Sequence, residues 1–430
     1  MAKRDWLVEQ AEYLLSGVDK GLPARAAGLT VREFLASGPR LAEFWTPVIA
    51  LEDSAVRHNI SVMADWCSAK GFSLAPHGKT TMAPALWQRQ LDAGAWGITL
   101  ATVGQIRTAR DFGFESLLLA NSATDPRGLR YLAEQLHDPG FRFSCWADSI
   151  ATIEAMEQAL AGATLARPID ICVELGAPGG RSGARSIGEA RAVAERLHGS
   201  SVLRLAGVSG YEGALAHDRS EASLRAVRDY LSSMLELHVS LQDLYDDGEV
   251  ILTAGGSAFF DLVAEVFDPV RQAVPRTRYV LRAGAYVTHD DGFYRGISPL
   301  DRSRDAALAA ENSLRPAMRA YSRIVSHPEP SLALLDAGKR DLPYDEGLPE
   351  PLSIARDLGA EPTPLNGSSI SAMNDQHGFL RTPGGVPLDP GSVVTLGISH
   401  PCTTFDKWRL IPMIASDADD LVVDLVRTYF

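Results

Sequence analysis

The chain has 430 residues, 46% of them hydrophobic and 22% charged, with a formal charge of −13. That length holds two or three domains, or one large barrel with an appendage, and the composition is that of a globular protein. The acidic balance speaks against nucleic acid and against an anionic membrane surface, and four cysteines without a CxxC pair suit a reducing compartment.

The first residues, Met1 to Trp6, carry no apolar signal core, and no stretch approaches the length of a bilayer span, so a cytoplasmic protein is expected. Residues 1–45 place Trp6, Leu7, Ala11, Leu14, Leu15, then Val31, Phe34, Leu35 and Leu41 at helical spacing, which predicts an N-terminal helical extension. From Thr46 short apolar runs alternate with amphipathic segments. The runs are 72–75, 97–101, 116–121, 141–148, 169–176, 203–210, 250–255 and 279–284; between them lie helical patterns such as 103–112, 150–160, 187–198 and 221–241. Such alternation implies parallel strands with helical crossovers, and about eight units over residues 46–290 predict an α/β fold, a (β/α)8 TIM barrel. An open doubly wound sheet competes, but no GxGxxG follows the first strand. Residues 291–430 break into short β-rich runs divided by Gly and Pro, which predicts a C-terminal, mostly β domain. Within it, residues 340–366 read as a long loop.

In a barrel the polar strand tips converge on one face and carry the chemistry. The first run ends at Pro76, and Lys79 follows at the turn; alone it is either a solvated loop lysine or a reactive amine. Glu174 to Gly183 is a glycine-dense strand exit holding Arg181, which is either a fixed charge for a planar ligand or a surface arginine on a flexible loop. Gly255, Gly256 and Ser257 stand between a strand and a helix, where consecutive N–H groups and a hydroxyl make a phosphate cradle or simply a tight βα turn. The next exit, Arg282 to Tyr286, adds Gly284 and the Tyr286 phenol to the same corner. In the β domain His400 and Cys402 lie two apart after the run 393–398. On an extended segment they face one side, as a nitrogen–sulfur grip for a metal or as a half-buried cysteine beside a hydrogen-bonded histidine. Two ligands leave the remaining metal positions to water or substrate, and His377 is a candidate neighbour.

Together these residues resemble the D-threonine aldolase/D-serine dehydratase family of the alanine racemase-like, fold type III pyridoxal-phosphate enzymes. The resemblance rests on the lysine motif Pro76 to Thr80, Arg181-Ser182-Gly183, Tyr211-Glu212-Gly213, Gly255-Gly256-Ser257, Arg282 to Tyr286, Asp336-Ala337-Gly338, Gln376-His377-Gly378 and His400-Pro401-Cys402. It implies a homodimer, pyridoxal 5′-phosphate on the Schiff-base lysine Lys79, and His77, Arg181, Tyr211, Gly255, Gly256, Ser257, Gly284 and Tyr286 around the cofactor. It also implies a divalent metal, zinc or else manganese, on His400 and Cys402. The expected activity is that of a lyase on D-3-hydroxy amino acids, a D-serine-type dehydratase giving a 2-keto acid and ammonia, since the dehydratases tend to show His-x-Cys at the metal where several aldolases show His-x-Asp. A D-threonine aldolase giving glycine and an aldehyde, an amino-acid racemase, and a non-catalytic pyridoxal-phosphate-binding barrel are the alternatives. The chain departs from the family where Ala214 follows Gly213 in place of a histidine, with His217 the candidate substitute, and where Asp375-Gln376 replaces a glutamate pair before His377.

Overall fold

All eight apolar runs fold as strands, because each is short, bounded by Gly, Pro or polar tips, and apolar enough to be covered on both faces. The computed structural model describes residues 6–271, 274, 276–302, 312–383 and 386–430. The extension contributes α1 (Trp6–Ala11) and α2 (Val31–Ala36), and β1 (Val48–Glu52) follows. The barrel then runs α3 (Asp53–Lys70), β2 (Ser73–Leu74), α4 (Pro84–Asp92), β3 (Ile98–Leu100), α5 (Val103–Asp111), β4 (Ser116–Ser122), α6 (Pro126–Gln135), β5 (Arg142–Ala147) and α7 (Ile150–Leu160). It continues through β6 (Ile169–Glu174), α8 (Ile187–His198), β7 (Leu203–Ser209), α9 (Glu221–Ser240), β8 (Val250–Ala254), α10 (Phe260–Phe267) and β9 (Thr277–Leu281). Strand exits pass into helices through side-chain caps at Thr102, Asp125, Ser149, Ser186 and Ser220, each accepting from a backbone N–H of the first turn.

The eight strands pair in parallel in the order β2-β9-β8-β7-β6-β5-β4-β3. The ring closes between β2 and β3 through a bridge from His77 to Thr99, with Trp96 N–H donating to Leu74 O at 2.7 Å and Thr99 N–H to Pro76 O at 2.9 Å. Ala75, Leu118, Trp146, Cys172, Ile251 and Val280 fill the interior, so the barrel is a packed core with its chemistry confined to the mouth.

α11 (Phe293–Ile297) leads to the second domain, built from β10 (Met318–Glu329), β11 (Leu332–Leu335), β12 (Glu350–Ala355), β13 (Thr363–Pro364), β14 (Ser369–Met373), β15 (Gly378–Arg381), β16 (Val393–Gly397), β17 (Leu410–Ser416) and β18 (Asp419–Arg427). Its main path is β13-β12-β16-β10-β1-β17-β18, and β11, β15 and β14 extend from β10. Two expectations change here. β1, counted with the barrel from residue 46, pairs antiparallel with β10 and parallel with β17. The stretch 340–366 holds β12 and β13, with Pro351 beside a register shift in the β12–β16 ladder, where a residue without an N–H is tolerated.

The extension is more than an appendage. Leu15, Leu22, Phe34 and Phe44 share one core with Val48, Val393, Leu410 and Leu425 of the second domain. α2 is held by a reciprocal capping box between Thr30 and Glu33. Lys20 ion-pairs with the buried Asp341 and sits 3.9 Å from the centre of the Trp408 ring. Among the described residues, no helix is long and apolar enough to cross a membrane.

Candidate active site

Pro76 ends the first barrel strand segment, and a 3-10 turn, Gly78–Thr80, presents Lys79. The turn is pressed against its neighbours: a Cβ on Gly78 would stand 2.6 Å from Ile98 Cγ2, and Trp87 Nε1 donates to Gly78 O at 3.1 Å. Burial lowers the Lys79 pKa from the ordinary lysine value; the nearby Cys402 opposes that shift, and the Arg181 and Arg282 charges reinforce it. His77 is held well below its usual range by burial and then by the Lys79, Arg282 and Arg181 charges, so it is neutral, and its Nδ1 is buried without a partner.

The β9 exit supplies Arg282, which the sequence pattern does not single out from its motif. It is 3% exposed and donates to Thr253 Oγ1 and Gly210 O, both at 2.6 Å, while its Nε has no partner. A Cβ on Gly284 would stand 2.6 Å from His77 Cβ, so only glycine lets this exit pass the lysine turn. Tyr286, expected at the phosphate corner, is instead buried in the helical layer, its hydroxyl accepting from Gln90 Nε2 of α4 at 2.9 Å. Its ring fills the core rather than the mouth.

At the β8 exit Gly255 adopts a left-handed φ of +94°. The N–H groups of Gly255 and Gly256 point to one acceptor, as a cradle requires, but that acceptor is the fully buried carboxylate of Glu212, at 2.9 and 2.8 Å. Of the expected phosphate cradle, Ser257 therefore carries the hydroxyl that Glu212 leaves alone. Tyr211, at the β7 exit, lies against both glycine segments: a Cβ on Gly213 would stand 2.5 Å from its hydroxyl and one on Gly256 2.9 Å from its ring. Arg181 stacks on Tyr211 with its guanidinium carbon 4.7 Å from the ring centre. Glu174, at the β6 exit, is raised by burial and keeps Oε2 buried and unpartnered.

The second domain reaches this mouth through His400 and Cys402. The segment is not the extended pair expected, because Pro401–Thr403 form a 3-10 turn, yet the two side chains still meet. Cys402 Sγ lies 3.2 Å from Thr80 Oγ1, one residue from Lys79. His400 Nδ1 is 2.9 Å from Asp345 Oδ2, and Asp345 Oδ1 accepts from Thr403 Oγ1 at 2.6 Å. Burial works against the His400 charge, but Cys402 and Asp345 outweigh it and raise its pKa to about 9. Tyr294 of α11 is raised well above the usual phenol range by burial and by Cys402, Tyr211, Asp290 and Glu346. Two histidines fall outside this cluster: His377 is exposed in the β14–β15 turn, and His217 is exposed beside Phe293 at 6.4 Å.

The donor set fits the groups implied for it. His77 Nδ1, Arg282 Nε, Glu174 Oε2 and Ser209 Oγ are buried and unpartnered at the exits around Lys79, and glycine at 256 and 284 lets those exits pack against Tyr211 and His77. His400 and Cys402 offer one nitrogen and one sulfur, donor types that suit a divalent metal such as zinc, and no group of three or more His, Cys, Asp or Glu metal donors occurs among the described residues.

Comparison with known proteins matches residues 52–271 to the model of the alanine racemase N-terminal domain, and residues 317–414 to a putative serine dehydratase domain. The chain is 26% identical to a D-threonine aldolase of Arthrobacter sp. over 378 residues, covering 86% of this chain and 89% of the relative. It is 24% identical to a D-threo-3-hydroxyaspartate dehydratase of Delftia sp. (strain HT23) over 393 residues, covering 86% and 94%. Among solved structures, D-threonine aldolase from Filomicrobium marinum superposes with a TM-score of 0.75 at 23% identity, covering 91% of this chain and 97% of that one, a likeness of fold.

Proposed function

The chain belongs to the alanine racemase-like, fold type III family, in the group that joins that barrel to a serine dehydratase-type β domain, and from this premise we propose that it is a lyase of D-3-hydroxy amino acids that eliminates water. The observation that carries the reading is the meeting of two donor sets at one mouth: Lys79 on the barrel and His400–Cys402 on the β domain, joined by the Thr80–Cys402 contact of 3.2 Å. An alanine racemase-type reaction has no need of the second set.

Lys79 would hold pyridoxal 5′-phosphate, with Arg181, Tyr211, Ser257, His77 and Arg282 around it, and His400 and Cys402 would hold a divalent metal, zinc or manganese. When bound, the cofactor supplies an electron sink for the Cα carbanion and the metal a Lewis acid for the 3-hydroxyl. The chain's own groups then divide the proton work. Lys79, its pKa lowered by burial and flanking cations, has more neutral amine at neutral pH than a free lysine and takes the Cα proton. Tyr211 and Tyr294, raised by burial, keep their protons and so offer no base, while Lys79 carries the proton it has taken and can return it. Loss of the 3-hydroxyl as water needs a donor; cleavage of Cα–Cβ to glycine and an aldehyde needs a base on that hydroxyl. Ala214 stands where many family members carry a histidine, and the phenols are poor bases, which favours dehydration and release of a 2-keto acid and ammonia.

The test incubates the purified protein with D-serine, D-threonine and D-threo-3-hydroxyaspartate and measures keto acid against glycine plus aldehyde. Keto acid is expected as the main product, lost in Lys79→Ala together with the lysine-linked visible absorbance. Glycine and aldehyde as main products would replace the dehydratase by an aldolase; racemised substrate alone would replace both by a racemase.

A further inference from the structure

The glycine turn after β8 has the look of a phosphate cradle, but its two N–H donors already have a partner. Glu212 is fully buried, and both its carboxylate oxygens are spent on Gly255 and Gly256. This is a costly arrangement for a buried anion unless it is well hydrogen-bonded and balanced. The balance is present: Glu212 lies in the field of the buried Arg282, whose own hydrogen bonds go to Thr253 Oγ1 of β8 and Gly210 O beside β7. Gly255 reaches its left-handed φ with Leu281 so close that a Cβ would stand 2.7 Å from it, so the N–H pair is fixed from behind. Glu212 thus ties the β7 exit to the β8 exit, and the residues on either side of the tie are Tyr211 and, past the glycines, Ser257.

We propose that Glu212 is a positioning residue: its carboxylate staples the β7 and β8 exits together and sets the spacing of Tyr211 and Ser257 for the cofactor, so that the glycine N–H pair serves the staple and not the phosphate. The proposal rests on the pyridoxal-phosphate reading of the site. It differs from two simpler ideas. If the N–H pair were the phosphate site and Glu212 a plug within it, removing the carboxylate would tighten cofactor binding. If Glu212 were only structural, its loss would lower stability and leave cofactor affinity alone.

Apo protein is titrated with pyridoxal 5′-phosphate and, separately, with pyridoxal, for wild type, Glu212→Gln and Glu212→Asp; binding is read by fluorescence and by the visible spectrum, and folding by thermal unfolding of each apo form. The amide of Glu212→Gln keeps the size but offers one acceptor and turns N–H toward N–H. The staple predicts at least tenfold weaker binding of pyridoxal 5′-phosphate in Glu212→Gln, with a displaced visible band, and a smaller loss for pyridoxal, which makes no use of Ser257 as a phosphate donor. Glu212→Asp keeps the charge on a shorter arm and should fall between; it carries the same test if the glutamine variant does not fold. Unchanged affinity with a lowered unfolding temperature, or tighter binding of pyridoxal 5′-phosphate, overturns the proposal. A wild type that takes up no pyridoxal 5′-phosphate overturns the reading of the site itself, and the proposal with it.

Discussion

Lys79 shows how a residue of ordinary chemistry acquires a particular one. Burial disfavours its charged form, and Arg181 and Arg282 push in the same direction against Cys402. The Arg181 contribution can be isolated. If Lys79 holds pyridoxal 5′-phosphate as proposed, uptake by the apo protein needs the neutral amine, so its rate rises with pH through the Lys79 pKa. Removing a neighbouring cation raises that pKa; Arg181→Gln should therefore move the midpoint of the uptake profile to higher pH, measured by stopped-flow absorbance. A weaker amplitude with an unmoved midpoint would reduce Arg181 to a binding contact. Lys79, Arg181, His400 and Cys402, which the structure brings near one another, stand out in the sequence because each lies in a short run of unusual composition after a strand. Glu212, Arg282 and Asp345 were not, since what marks them is a partner far away in the chain: Gly255 and Gly256 for Glu212, Gly210 for Arg282, His400 for Asp345. Tyr286 misled for a related reason. The turn after β9 has an inside and an outside, and only the packed helix α4 decides which one the phenol takes.

Whole elements were legible to the extent that burial on both faces made their runs continuous. The eight barrel strands satisfy that condition. β12 to β15 do not: they are short, partly exposed, and interrupted by Pro351 and by register shifts. The segment before β12 carries Asp345, which reaches His400 from a stretch that reads as loop. Its Oδ2 engages His400 Nδ1 and its Oδ1 is held by Thr403, so Asp345 fixes one nitrogen of the imidazole. Carboxylates in this position commonly fix a metal-binding imidazole, and losing one costs about 10–100-fold in metal affinity. Asp345→Asn should weaken Mn²⁺ and Zn²⁺ binding by about that factor in a competition titration of the protein, with the visible spectrum of the bound cofactor kept. Metal affinity equal to wild type would leave Asp345 as a surface carboxylate that happens to touch His400.

At the scale of the whole molecule, the chain enters the β domain before it builds the barrel. β1 lies between β10 and β17 in the second sheet, and only then does α3 begin the barrel. The proposed site combines Lys79 from one domain with His400 and Cys402 from the other, so the join between them would bear on its chemistry. The extension strengthens that join from both sides. Trp6 packs edge-on against Phe112 of the barrel, with ring centres 6.0 Å apart, and Phe34 and Phe44 lie in the core beneath β1 and β17. A segment merely appended to a finished fold would tolerate truncation at Phe34 as an exposed position does, within about 0.5 kcal/mol. Phe34 is fully buried, and its ring meets Phe44 at 6.2 Å and the Arg25 guanidinium at 5.1 Å. Phe34→Ala opens a cavity in a core shared by the extension and the second sheet, and the cost for a buried phenylalanine is about 3–5 kcal/mol. Equilibrium denaturation should show that loss in the transition of the β domain, and metal affinity should fall with it because His400 and Cys402 belong to that domain. A midpoint within error of wild type would mean that the second sheet holds its shape without the first 45 residues.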